Sequence, residues 1–299
     1  MSRMRIALLT VLAMISFAGN SLLCRAALKH SGIDAASFTT IRLIAGALTL
    51  WLIVLGMQRR QSTFPQPRNA NSRGNWLSAF ALFNYAACFS FAYIDLSAAT
   101  GALLLFGSVQ ASMITYGLIK GERFRGRQLL GFICALGGLI GLLLPGFAAP
   151  PLTSAALMIA AGIAWGIYSL RGRMKITGSV TNPVGGATAV TAGNFLRTVP
   201  FAVLLSLAAV ASSSIAIDWT GAAYAIASGA IASGIGYTIW YTALPGLSAT
   251  TAATVQLSVP LITALGGVLL LGESFTLRLA IASVAILGGI GLVVLKKGH

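Results

Sequence analysis

The sequence predicts an all-α integral membrane protein, with ten transmembrane helices in two inverted five-helix repeats around a central cavity. Three observations carry this prediction. Of the 299 residues, 57% are hydrophobic and only 8% charged, whereas a soluble domain carries about a quarter charged residues. Apolar runs recur along the whole length, each long enough to cross a hydrocarbon core about 30 Å thick. A stretch of the first half also recurs in the second half without a gap. The Gly, Ala and Leu richness, with no alternating ten-residue strands, argues for helices over a β-barrel.

The runs place spans at 6–27, 35–57, 75–94, 98–119, 128–144, 153–171, 184–209, 219–241, 247–270 and 277–295. The first begins with Arg3 and Arg5, as a signal peptide would, but no small-residue cleavage pattern precedes Arg25, so it is kept as a span. The link from Gln58 to Arg73, rich in Pro, Asn, Ser and Arg, reads as an exposed loop, and Pro245-Gly246 as a turn. Inside span 9, Pro260 predicts a kink, because its ring removes a hydrogen bond and crowds the preceding turn.

Charge sets the orientation. Of the 20 Lys and Arg residues, only Lys29 and Arg278 fall in links on one side, and Arg25, Arg42 and Arg197 fall within or near the ends of spans. The rest lie on the side of the N-terminus, so both termini are expected in the cytoplasm of a bacterial cell, with the chain in its inner membrane. The net charge of +15 is thereby accounted for without a nucleic-acid partner. Cys24, Cys88 and Cys134 all lie in apolar segments and read as packing residues rather than as a disulfide set.

The repeat is specific. Residues 96–139 lie on 247–290 at one constant offset: Leu96-Ser97-Ala98 meets Leu247-Ser248-Ala249, Gly121-Glu122 meets Gly272-Glu273, and Leu136-Gly137-Gly138 meets Leu287-Gly288-Gly289. Earlier in each half the match is weak, Arg25 falling with Arg171 and Arg42 with Arg197. The halves are therefore 1–150 and 151–299. Each holds an odd number of helices, so the second enters the membrane from the opposite side, and an inverted repeat of this kind places a substrate site at the interface between its halves.

Ten helices in two such halves, each ending in a Gly-Glu link and a Gly-Gly-bearing helix, resemble the drug/metabolite transporter superfamily and its EamA-type ten-helix exporters. Gly19-Asn20-Ser21 followed by Arg25, and Ala164-Trp165-Gly166-Ile167-Tyr168 opening the second half, are similar to that family as well, and within it to the YddG-type amino-acid exporters. The resemblance covers nearly the whole chain. It implies export of a small metabolite through a central cavity, with the substrate left open, since fold-level analogy does not choose one.

The residues themselves narrow the chemistry. There is no P-loop, dinucleotide fingerprint, zinc-protease or nucleophile-elbow motif. His30 and His299 are the only histidines, which excludes a histidine metal site. Neither an enzyme nor a cofactor is expected. The five carboxylates, Asp34, Asp95, Glu122, Asp218 and Glu273, all lie at or beyond span ends. Proton-coupled carriers usually keep an ionisable group inside the membrane, so transport is expected to be uncoupled. Glu122 and Glu273 are expected to complement the N-terminal dipoles of the helices that follow them, and Arg25 to snorkel from the end of span 1.

Polar and aromatic residues inside spans remain for the site. Asn20, Asn84, Gln110 and Gln256 are expected to orient polar groups, while Phe106, Trp165, Tyr168 and Tyr237 hold an apolar part. Each has a structural reading too: amides serve as interhelical glue, and Tyr85, Tyr224 and Tyr241 read first as interfacial belt aromatics. Arg42 and Arg197, with Tyr85 and Trp240, are secondary candidates. Either arginine could hold a substrate carboxylate or neutralise helix carbonyls. A phosphate ester would call for several converging cations, so amino acids or similar small neutral metabolites are favoured, carried by alternating access. Exchange of phosphate-bearing or nucleotide-type metabolites, or a non-transporting membrane partner subunit, are the other readings. The Gly pairs of spans 5 and 10 read as packing or as a weak dimer surface, making the chain a monomer or weak dimer in a lipid bilayer.

Overall fold

A computed structural model describes residues 2–60, 74–119, 121, 126–144, 149–177, 183–247, 252 and 255–294. Its helices are α1 (Arg3–His30), α2 (Ala35–Arg60), α3 (Trp76–Ala92), α4 (Ala98–Ile119), α5 (Gly126–Leu143), α6 (Leu152–Thr177), α7 (Pro183–Ala211), α8 (Trp219–Gly246), α9 (Ser258–Leu271) and α10 (Leu277–Val294). Seven are long and apolar enough to cross a membrane by themselves; α3, α9 and the apolar part of α10 are shorter. Glu122 and the predicted loop over 61–73 lie outside the described residues.

Local chemistry starts and stops these helices as the sequence would dictate. Ser2, Asn75 and Asp218 cap α1, α3 and α8, accepting from the backbone N–H groups of Arg5, Ser78 and Gly221. The carboxylate of Asp34 takes the N–H groups of Ala36 and Ser37 at the head of α2. Gly121 and Gly272, the matched glycines of the two Gly-Glu pairs, both turn the chain with positive φ, 92° and 61°, a conformation only glycine adopts freely.

Two spans differ from expectation. Span 9 is not one helix: a turn at Leu257 separates a helical stretch at Val255 and Gln256 from α9. Pro260 therefore sits in the first turn of α9, where its missing N–H leaves no partner unsatisfied. Within α8, the helix is α-helical over Trp219–Ala227, π-helical over Ser228–Ile235 and α-helical again over Gly236–Ala243, closing in a 3₁₀ turn over Leu244–Gly246.

The helix contacts obey the inverted repeat. Helix α1 packs on α8 and α9, and its counterpart α6 packs on α3 and α4; α3 touches α7 as α8 touches α2. The pairs α2–α7, α4–α9 and α5–α10 join each helix to its own counterpart. The closest-packed pairs all run between halves, so the two repeats interdigitate and share one core. Glycine permits the tightest of these approaches. A Cβ on Gly229 of α8 would collide with the Arg42 carbonyl of α2, and Gly138 and Gly289 bring α5 against α10, which spends part of the small-residue surface on packing inside the chain.

Outward-facing side chains are large and apolar: Leu204 is 63% exposed, Leu270 74% and Val284 75%. A continuous surface of this kind belongs in hydrocarbon. The bundle has two ends. The terminal end carries the start of α1 and the end of α10; the distal end carries the α1–α2, α3–α4, α7–α8 and α9–α10 links.

Candidate functional site

A narrow cavity of about 20 Å³ lies inside the bundle, closed down to little more than the room a water molecule needs. It is walled by α1 (Phe17, Asn20, Ser21), α3 (Tyr85, Phe89), α4 (Leu105, Phe106), α6 (Trp165), α8 (Ala232, Ser233, Tyr237) and the turn before α9 (Gln256). These are three pairs of repeat counterparts, α1 with α6, α3 with α8 and α4 with the span containing Gln256. A wider cleft between α4, α9 and α10 is lined almost wholly by apolar side chains among lipid-facing residues, and has no groups with which to select a polar ligand.

Trp165 is the hub of the apolar wall. Its ring lies 4.8 Å from Tyr85, 5.4 Å from Tyr168 and 5.4 Å from Tyr237, centroid to centroid. Its neighbour Gly166 explains the placement: a Cβ there would collide with Ser112 of α4, so α6 meets α4 on its glycine face and turns Trp165 to the cavity. Phe17 closes the other side, 5.8 Å from Tyr237 and 6.0 Å from Trp240.

The polar wall is a chain of side-chain hydrogen bonds. Ser228 donates to Asn20 Oδ1 at 2.7 Å, Asn20 Nδ2 donates to the Tyr85 hydroxyl at 3.1 Å, and Arg42 Nη2 donates to the same hydroxyl at 3.3 Å. Arg42 is 2% exposed, and its guanidinium carbon lies 4.9 Å from the Phe89 ring centroid and 5.4 Å from that of Tyr85. Cation–π contact of this kind is worth more where water is excluded. Both Arg42 Nη1 and Ser233 Oγ are buried without a hydrogen-bond partner.

Of the residues expected at the site, the cavity brings together Asn20, Phe106, Trp165, Tyr237 and Gln256, with Tyr85 from the secondary set. Tyr168 stands behind Trp165 and receives a hydrogen bond from Asn194; Gln110 is buried along α4 from Phe106; Trp240 packs behind Phe17. Asn84 stays outside. It donates to the Phe80 carbonyl of its own helix, on the face where Phe80 and Phe83 pack against Phe201 of α7. That local bond settles an amide which otherwise would have needed a cavity or a neighbour. Tyr85, read as a belt residue, is 5% exposed and central. Arg197 lies apart from Arg42, bonded to the Gly193 carbonyl with Trp76 beneath it.

Phe17, Ser21, Phe89 and the π-helical form of the α8 stretch escaped sequence reasoning, whereas Ser233 stands out in span 8 on one face with Tyr237 and Trp240. Only the small-residue run of α8 signals that stretch, and π-helical insertions gather at functional sites.

At the distal end the charges pair. Arg25 Nε meets Glu273 Oε1 at 3.0 Å, with side chains 12% and 7% exposed, and its Nη1 donates to the carbonyls of Tyr93 and Ile94. Arg25 is thus an ion-pair partner inside the protein rather than a snorkelling side chain. The second oxygen of Glu273 accepts from the Ala98 N–H at 2.7 Å, so it caps α4 of the other half instead of the helix that follows it.

The comparisons agree with this architecture. The model of the EamA-like transporter family matches twice, over residues 4–144 and 152–295. An uncharacterized protein of Pseudomonas aeruginosa, PA1977, is 54% identical over 293 residues, covering 98% of this chain and 96% of its own. An uncharacterized transporter of Archaeoglobus fulgidus is 24% identical over 298 residues, covering 97% of each chain. A crystal structure described only as that of a protein shares the fold with a TM-score of 0.62 at 20% identity, over 98% of both chains. With paired half-matches spanning its length, a multi-pass helical bundle and a buried cavity walled by both halves, the chain belongs to the EamA-like transporter family.

Proposed function

We propose that this protein is an uncoupled secondary carrier, exporting amino acids or similar small metabolites across a bacterial inner membrane by alternating access. It does so as a monomer or weak dimer, with both termini in the cytoplasm, and is not an enzyme. The observation that carries this is the cavity itself: an aromatic box around Trp165 and a short set of amides and hydroxyls, built from counterpart helices of repeats 1–150 and 151–299. A site shared across an inverted repeat can face either side when the halves rock against each other.

Uncoupled transport is supported by where the acids lie. Among the described residues Asp34, Asp95, Asp218 and Glu273 all sit in the distal links, bonded to neighbouring elements, and none reaches the cavity wall. Exchange of phosphate esters is less well supported, because Arg197 is turned to Gly193 and Trp76 rather than toward Arg42.

Counterflow into proteoliposomes tests the proposal, with unlabelled amino acid inside, labelled amino acid outside and no ion gradients. Accumulation of label is expected, and Trp165→Ala should reduce it about ten-fold or more while folded protein persists. Unchanged transport by Trp165→Ala would overturn the cavity assignment. Accumulation that requires an imposed pH gradient would overturn the uncoupled mechanism.

A further inference from the structure

We infer that the cavity takes its substrate by a carboxylate, docked on the Tyr85 and Asn20 side chains of the wall and drawn by Arg42, which stands behind Tyr85 and Phe89 outside the lining, with the amino group of an amino acid dispensable; this deepens the carrier reading and rests on it. The acceptors on the polar wall are neutral: Gln256, which donates its Nε2 to the Ala252 carbonyl, offers only an amide oxygen. Asn20 Oδ1 is occupied by Ser228. The Tyr85 oxygen accepts from both Asn20 and Arg42, which fills its lone pairs and leaves its own hydrogen to be donated. Arg42 Nη1 and Ser233 Oγ are buried with no partner at all. A permanent cation, a phenol proton and a free hydroxyl therefore await an acceptor.

Among the described residues the wall offers none of suitable charge. Every acidic side chain among the described residues belongs to the distal links, so among these residues the buried guanidinium of Arg42 has no counter-anion. A buried cation in that condition is costly until it is paired. A carboxylate accepts hydrogen bonds from Tyr85 and Asn20, and its charge of −1 balances that of Arg42 behind them. A phosphate dianion would bring one negative charge more than the wall can neutralise. A cationic ligand would meet Arg42 with like charge. The apolar remainder of the substrate falls against Phe17, Phe106, Trp165 and Tyr237. An α-ammonium group would find ring faces there and no acid to pair with, which makes the carboxylate the group that is read.

The test is direct binding to the purified full-length protein, by calorimetry, of four probes that share one ring: 3-phenylpropanoate, 3-phenylpropanamide, phenethylamine and phenyl phosphate. The acid should bind at least about ten-fold more tightly than the amide, as expected of charge-assisted hydrogen bonds, and more tightly than the phosphate; the amine should not compete. Arg42→Gln should bring acid and amide within about two-fold of each other, and Arg42→Lys should recover part of the preference. Tyr85→Phe, which keeps the ring, should weaken the acid and leave the amide unchanged, so the inference stays testable should Arg42→Gln fail to fold. Any wild-type result without a preference for the acid overturns it, whether equal affinities, tighter phosphate or no binding of either probe. Counterflow that persists alongside equal acid and amide affinities would sink this inference and leave the carrier standing. A clear acid preference with no counterflow would do the reverse.

Discussion

At the distal end of the bundle the halves are joined through charged groups, whereas at the terminal end the ties of Arg171 and Asn75 run to neutral amides and hydroxyls. Distally, Arg25 of the first half holds Glu273 of the second, Asp34 and Ala216 exchange hydrogen bonds of 2.8–2.9 Å, Asp218 accepts from Gly32, and Arg278 donates to the last carbonyls of α5. At the terminal end Arg171, which the weak part of the repeat pairs with Arg25, donates to Ser78 and to Asn75 at 3.3 Å each, and Asn194 accepts from the Asn75 N–H. Equivalent cations in the two halves thus meet an anion at one end and neutral acceptors at the other. Charge-assisted bonds are about twice as strong as neutral ones, so the distal links set the larger barrier to separating the halves there.

The sharpest way to break this contrast is Glu273→Ala. It strands Arg25 and uncaps α4, and should cost about 3 kcal/mol, read as a lowered thermal midpoint in detergent. Combining it with Arg25→Met should recover part of the loss, and a double variant no better than the single would show that the pair does not carry the effect. Next in size is Asp34→Asn, expected to cost about 1.5 kcal/mol at neutral pH. Burial pushes the Asp34 carboxyl up, but hydrogen bonds from Ala216, Ser37 and Ala36 outweigh it and hold the group below its ordinary value. A depressed carboxyl stabilises the fold above the unfolded value of about 3.9, and that contribution disappears as pH falls through the folded value. The difference between wild type and Asp34→Asn should therefore be full at pH 6 and shrink below about pH 4; a difference independent of pH would remove Asp34 from the contrast. At the terminal end, Asn75→Ala should cost only about 1 kcal/mol, the worth of one helix cap. A loss matching that of Glu273→Ala would erase the distinction between the ends. The smallest effect is expected for Asn84→Ala, within about 0.5 kcal/mol in stability and with counterflow unchanged. A transport defect there would return Asn84 to the site.

Hydropathy and the repeat over 96–139 and 247–290 make the architecture legible in the sequence, because a span must be apolar for most of its length and a Gly-Glu pair at a helix end is hard to match by composition. Most of the cavity is legible for a related reason: Asn20, Gln256 and Trp165 are costly in hydrocarbon and must face protein. Helix α3 defeats that logic. It is apolar on all sides, so Asn84 and Tyr85, adjacent in sequence and about 100° apart around the axis, cannot be ranked by pattern. The bond from Asn84 to the Phe80 carbonyl hides its polarity locally. The Arg25–Glu273 pair spans 248 positions, and each partner by itself reads only as a charge near a helix end. Arg42 was legible as a buried cation, but its lack of an acid partner becomes visible only once the bundle is assembled.

The π-helical stretch of α8 carries a consequence for the phase of that helix. Within it the Gly236 N–H reaches back to the Ile231 carbonyl, five residues earlier, so the stretch accommodates surplus chain that a regular α-helix would not hold. Everything beyond it, including Tyr237 and Trp240, is rotated by about 100° relative to an uninterrupted α-helix begun at Trp219. Deleting one residue between Ser228 and Ile235 would therefore leave a sound helix that packs like any other, with the wrong side chains turned toward Trp165. In this helix one surplus residue, rather than any particular side chain, decides which ring faces the cavity.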